Sequence, residues 1–308
     1  MIVLRSPELL VRLDPCHRGE ILDLVDLASG RQLLGRPPFG STEPVAGDLD
    51  EETWTAAYRG GWQFLFPNAG NACVVDGERH GFHGRASNDP WEVVTAGEST
   101  ATLRWRGHGL EVERRLALED GSLAVWVEAR ALERAVPLVA LEHVAIGLEL
   151  LEPSVEIELP AGLAYELSET AGPVQPPPGA PRWPEVLLLD GSVERADRWA
   201  LARERSRLLV VADLPEGRAV VRNGARGAGL ELRWDAEFLR HLWLWHDVRV
   251  LGGILRGQAE ILTIEPTSVP HSLGLAAAVE QGQARWLEPG ETLRFWLTAR
   301  PLRETARG

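Results

Sequence analysis

Lysine is missing altogether: all 32 basic side chains of the 308-residue chain are arginine, which excludes a catalytic amine or a Schiff base. Cysteine is nearly absent too. Cys16 and Cys73 lie far apart, form no redox or zinc spacing, and are expected to be two buried, reduced thiols. No apolar run approaches the length of a bilayer-spanning helix, so no membrane partner is expected. The opening Met1-Ile-Val-Leu-Arg-Ser-Pro-Glu8 lacks the charge-then-apolar-then-small pattern of a secretory leader, and the expected compartment is the cytoplasm. A net charge of -13 leaves no face able to neutralise phosphates, which argues against a nucleic-acid partner.

Missing as well are a Gly-x-Ser-x-Gly elbow, a phosphate loop, a dinucleotide fingerprint and a His-Glu-x-x-His helix. No cofactor is therefore expected. His80 and His83 with a distant carboxylate fit no closed metal site, so no metal is expected either. Nothing in the sequence reads out an oligomeric state.

Two tyrosines stand against twelve tryptophans, an imbalance that suits a stacking surface. Short alternating apolar runs fill most of the chain, including Ala101–Arg106, Leu110–Leu118, Leu123–Ala131, Val136–Leu150 and Leu208–Asp213. Turns such as Glu119-Asp-Gly121 separate them, and that spacing predicts an all-β antiparallel sandwich. Residues 1–308 read as one domain. The Pro-rich run Gly172–Pro184 is expected to be a long excursion within it. Modest helices are expected at Asp190–Ala202 and Asp235–Arg240.

Strand alternation puts Leu141, His143 and Ala145 on one face and Glu142 on the other. The common reading of such a histidine is a satisfied core residue; its ordinary pKa also suits proton transfer. Glu265 shares its face with Ile261 and Thr263 and reaches a strand end, where Pro266 stops the ladder. A histidine acid and a glutamate base are together the smallest set that can move one proton on and one off a hemiacetal. Glu142, facing away, cannot complete the opposed carboxylates of a glycoside-cleaving site. Trp243, Trp245 and Asp247 share a face; Trp243 reads as core, while Trp245 and Asp247 suit a pyranose ring and its hydroxyls.

These segments resemble the aldose 1-epimerase (galactose mutarotase-like) superfamily. The resemblance rests on an ordered series: Gly30-Arg-Gln-Leu-Leu34, then Gly60-Gly61 with Phe64-Leu-Phe66-Pro67-Asn68, then His83-Gly84 with Trp91. Glu142-His143, Ile264-Glu265-Pro266 and Leu287-x-Pro289-Gly290-Glu291 complete it. It implies a supersandwich of antiparallel sheets with an open sugar cleft, in which α and β anomers of a hexose or hexose phosphate interconvert. Glu265 would be the base, His143 the acid, and His83 a ligand of the ring or a hydroxyl. The His-Gly-Phe at 80–82 resembles the sugar-phosphate branch, which makes His80 the alternative ligand and gives Arg85 a phosphate to meet. Asn68, Trp245 and Asp247 complete the expected substrate contacts. A non-catalytic carbohydrate-binding protein on the same fold is the alternative.

Overall fold

The structure is a computed structural model. It describes residues 1–38, 40, 43–168, 172–200, 205–250, 255, 257–258 and 260–303.

Two large sheets face each other. Among the described residues one has 12 strands and the other nine, and neighbouring strands run antiparallel except Leu163–Leu167 beside Glu185–Leu187. The alternation seen in the sequence explains the layering. In Leu110–Glu119 the inward residues Leu110, Val112, Leu116 and Leu118 join the core, while Glu111 and Glu113 turn outward to Arg106 and Arg104. The core between the sheets also takes Val144 and Ile264 from central strands of the 12-stranded sheet. The far face of that sheet carries a second apolar cluster with Leu141, Ala145, Trp243, Trp245 and Ile261. Strands covered on both sides are buried along their whole length, as in His241–Val248.

The Leu141–Ala145 strand therefore sends its odd residues to one layer and its even residues to the other. Glu142 lands in the core between the sheets. Its Oε2 accepts from Trp62 Nε1 at 2.6 Å and from Arg114 Nη2 at 2.7 Å, and the guanidinium lies over the Phe64 ring. Arg114 comes from the opposite sheet, so this ion pair spans the sandwich. Burial pushes the Glu142 carboxyl up to about 7 against the pull of Arg114.

Some local expectations fail. Asp190–Ala200 forms the strands Val193–Arg195 and Arg198–Ala200, paired with Glu185–Leu187 and Ser154–Glu158; the rest of the expected helix lies outside the described residues. Asp235–Arg240 is a turn. Helices form instead at Glu51–Ala56, Leu148–Leu151 and Leu275–Glu280. The first is capped by Asp50, which accepts from Thr53 N at 2.8 Å. Pro266 does not end its strand, which continues to Thr267 with Pro266 opposite Leu242. Antiparallel pairs exchange hydrogen bonds only at alternate residues, which leaves room for a proline within the ladder. Cys16 is exposed and Cys73 half-buried, so neither is a core thiol. Among the described residues no helix is long and apolar enough to cross a membrane.

Breaking a buried pair strands the remaining charge, whereas removing both partners can cost little. Arg114→Leu is expected to lower stability by about 3 to 5 kcal/mol. Arg114→Leu with Glu142→Leu is expected to recover most of that loss. Urea unfolding midpoints check both, and equal losses in the single and double variants would contradict the account.

Candidate functional site

The second apolar face opens into a cleft of about 720 Å³, its mouth included. His143 and Glu265 stand at its floor. Their placement follows from register: pairing Leu141 with Thr267 and Val144 with Ile264 sets His143 beside Glu265 on the neighbouring strand. Glu265 in turn is paired with Trp243 on its other side, and Trp243 with Val210.

His143 Nδ1 lies 3.2 Å from Glu265 Oε1, with both side chains about 96% buried. That is ion-pair distance without hydrogen-bond alignment, since Nδ1 has no hydrogen-bond partner among the described residues. The nitrogen is thus free to turn to a ligand oxygen. Glu265 Oε1 also accepts from the Thr263 hydroxyl, two residues back on the same face. His143 Nε2 meets the Tyr58 hydroxyl at 2.8 Å. Burial, then the charges of Glu265 and Glu20, raise the Tyr58 phenol well above 10, so Tyr58 stays neutral at any working pH.

Trp54 and Tyr58 reach the cleft from the helix Glu51–Ala56 and the residues just after it. Four residues apart, their rings stack at 5.3 Å. Trp54 touches His83 edge-on at 4.5 Å and packs under the Arg18 guanidinium on another side. His83 has φ +62 and is followed by Gly84 at φ +76, whose added Cβ would stand 2.4 Å from Phe66 O. Only glycine tolerates that approach, and the turn it permits carries the His83 ring into the cleft. Gly70 N–H donates to His83 Nδ1 at 3.0 Å, which leaves the proton of the neutral ring on Nε2. Burial, and then the neighbouring His143 and Arg18, hold the His83 imidazole well below 6.5.

Of the residues singled out from sequence, His143, Glu265, His83 and Trp245 line the cleft together. The other four do not. His80 turns away and stacks on His108 at 4.4 Å. Asn68 is a buried clamp: Nδ2 donates to Asn71 O and Gly81 O, while Oδ1 accepts from Leu275 N at 2.7 Å. Arg85 is paired with Asp89 at 3.1 Å and lines a separate depression with Arg104 and Arg106, so it meets no ligand in the cleft. Asp247 shares the face of Trp245 but is wholly buried, holding Leu255 N and the Ser206 side chain. Burial raises its carboxyl.

Trp243 does both jobs open to it: its Nε1 donates to Val269 O at 3.0 Å while its ring walls the cleft. The Trp245 indole N–H is buried without a partner among the described residues. Glu51 and Asn71 add polar groups to the lining. Sequence reasoning missed Trp54 and Tyr58. Their four-residue spacing was the available signal, in a helix too short to show a period.

No family model matches the sequence, and no curated protein matches it. Solved structures do match in three dimensions. A Synechocystis sp. PCC 6803 protein is 19% identical with a TM-score of 0.70, covering 98% of this chain and 95% of its own. A galactose mutarotase related enzyme from Lactobacillus acidophilus is 12% identical with a TM-score of 0.68, covering 99% and 98%. The GalM/aldose epimerase homologue from C. elegans is 14% identical with a TM-score of 0.67, covering 99% of both chains. Likeness at these identities establishes a fold, and the fold is the galactose mutarotase-like sandwich.

The tautomer of His83 is open to direct test. Its ring nitrogens, followed by NMR, are expected to report a neutral Nε2–H form that does not protonate as pH falls through the ordinary histidine value of about 6.5. Protonation above pH 6 would contradict the burial argument.

Proposed function

We propose that this chain, built on the galactose mutarotase-like fold, is an aldose 1-epimerase acting on a reducing sugar. The observation that carries the proposal is the 3.2 Å approach of His143 Nδ1 and Glu265 Oε1 in a cleft walled by tryptophan. In a cyclic aldose the C1 hydroxyl oxygen and the ring oxygen are bonded to the same carbon. A base and an acid this close together can reach both at once.

The chemistry then runs as follows. Glu265 takes the proton from the C1 hydroxyl, and the O–H electrons form the C1 carbonyl. The bond from C1 to the ring oxygen breaks, its electron pair stays on that oxygen, and the imidazolium of His143 supplies the proton. Rotation about C1–C2 turns the other carbonyl face to the returning hydroxyl. Closure reverses both transfers and yields the other anomer. Tyr58 stays neutral and holds His143 Nε2, fixing the ring plane without competing as an acid. His83, a neutral imidazole, donates Nε2–H to a ring or hydroxyl oxygen. The apolar C–H patches of the sugar pack on Trp54 and Trp245, and the free indole N–H of Trp245 donates to a hydroxyl. Residues 1–308 act as one domain in this reading, supported by the core cluster that both large sheets share.

Glu265→Gln keeps the shape of the site and removes the base. It is expected to slow anomer exchange by about 10²- to 10⁴-fold, the usual worth of a general base, while sugar still quenches tryptophan fluorescence. Exchange spectroscopy by NMR over a panel of reducing sugars and hexose 6-phosphates measures the rate. A fully active variant would end the proposal. Saturable quenching by a sugar, without rate enhancement in the unaltered protein, would favour the non-catalytic carbohydrate-binding protein that the same tryptophan walls suit.

A further inference from the structure

Behind the segment that carries His83 lies a second group of chemistry-bearing residues that the cleft does not use. The hairpin of strands Cys73–Val75 and Glu78–His80 presents Glu78 and His80, two residues apart and therefore on one face. His108 comes from the turn between strands Thr100–Gly107 and Leu110–Glu119, where its φ of +52 swings the ring over His80. The nearest available ligand atoms of Glu78, His80 and His108 all lie within 4.8 Å of one another.

Two nitrogens there are spent on nothing. Among the described residues, His80 is 97% buried with Nδ1 unpartnered, and His108 is 92% buried with Nε2 unpartnered. Buried polar atoms normally find a partner, and two orphaned imidazole nitrogens in one place call for an explanation. Carboxylates flank both edges of the His108 ring. His108 Nδ1 meets Glu78 Oε1 at 2.8 Å, and Asp48 Oδ1 stands 3.7 Å from His108 Nε2. The Glu78 carboxylate also holds Arg134 through its other oxygen.

We propose that Glu78, His80 and His108 bind a divalent transition metal, zinc(II) being the ion best matched to two imidazoles and a carboxylate. Zinc takes such ligands at about 2.0 to 2.2 Å, and closing this set on an ion exchanges the hydrogen bond between Glu78 and His108 Nδ1 for two bonds to the metal. Asp48 is within reach as a fourth ligand. The sequence expectation of no metal rested on pairing His80 with His83, and the fold separates those two and supplies His108 instead.

The position gives the ion a structural task. Asp48 accepts from Gly81 N at 2.9 Å, and Gly81 O is clamped by Asn68 at 2.8 Å. A metal at this point ties the hairpin, the Asp48 segment and the 106–109 turn together directly behind Phe82 and His83. It steadies the cleft wall from outside. This inference is independent of what the cleft does.

The test uses the full chain stripped by a chelator and titrated with zinc(II) by calorimetry and with cobalt(II) by visible absorption. The expected result is one ion per chain, with the cobalt spectrum of a tetrahedral nitrogen and oxygen site. His108→Asn and Glu78→Gln are expected to weaken zinc binding by about 10- to 100-fold or more, a loss at least that of a supporting residue. Near-ultraviolet circular dichroism of the tryptophans checks that each variant is folded, and Glu78, half-exposed on its hairpin, is the safer change. Arg134→Ala removes the competing cation from Glu78 and is expected to tighten binding. Cys73→Ser, whose thiol lies against Asn68, is expected to leave it unchanged. Absence of stoichiometric binding, or folded His108 and Glu78 variants that bind as tightly as the unaltered chain, would overturn the proposal.

Discussion

Register in the 12-stranded sheet is the constraint on which the rest depends. Directly opposed residues in antiparallel strands bring their Cβ atoms to about 4.5–5.5 Å, and a slip of one residue moves every side chain to the opposite face. Here one row runs across the sheet: Gln63 beside His143, then Glu265, Trp243, Val210 and Tyr165. The same pairing sends Glu142 into the core to meet Arg114. A shift in register would place a histidine in the apolar core and a carboxylate on the cleft floor. The buried ion pair from the opposite sheet, costly if broken, therefore works against the slip that would dismantle the cleft.

Around that row, burial gives chemically similar groups different characters. His83 is held neutral by desolvation and accepts from a backbone N–H, which makes it a donor of fixed tautomer. His143 sits between a carboxylate and a phenol that burial keeps protonated. Under the proposed reading the first orients a sugar and the second moves a proton. Trp54 touches both rings, so the short helix that carries it fixes their spacing. A shared apolar wall thus couples positioning and proton transfer.

What was legible in the sequence was whatever depends on alternation. The all-β class, the faces of His143, Glu265 and Trp245, and the exclusion of Glu142 from the cleft all follow from a period of two. What was not legible depends on partners brought by the fold. Asn68, Arg85 and Asp247 carry polar groups that suit a sugar, and each is turned instead to a structural bond within the fold. The choice between His80 and His83 is made by backbone dihedrals at His83 and Gly84, to which side-chain patterning is blind. Trp54 and Tyr58 escaped because a helix of six residues is too short to display its period. The strands at Val193–Arg195 and Arg198–Ala200 carry no strand signal of their own, because their extension comes from pairing with other strands.

The most direct test of the central claim is a crystal structure of the Glu265→Gln chain with a slowly exchanging reducing sugar bound. The account predicts the anomeric carbon in the cleft, its hydroxyl within hydrogen-bond distance of residue 265 and its ring oxygen facing His143 Nδ1, with a pyranose face against Trp245. A sugar bound with C1 beyond the reach of both side chains would contradict it.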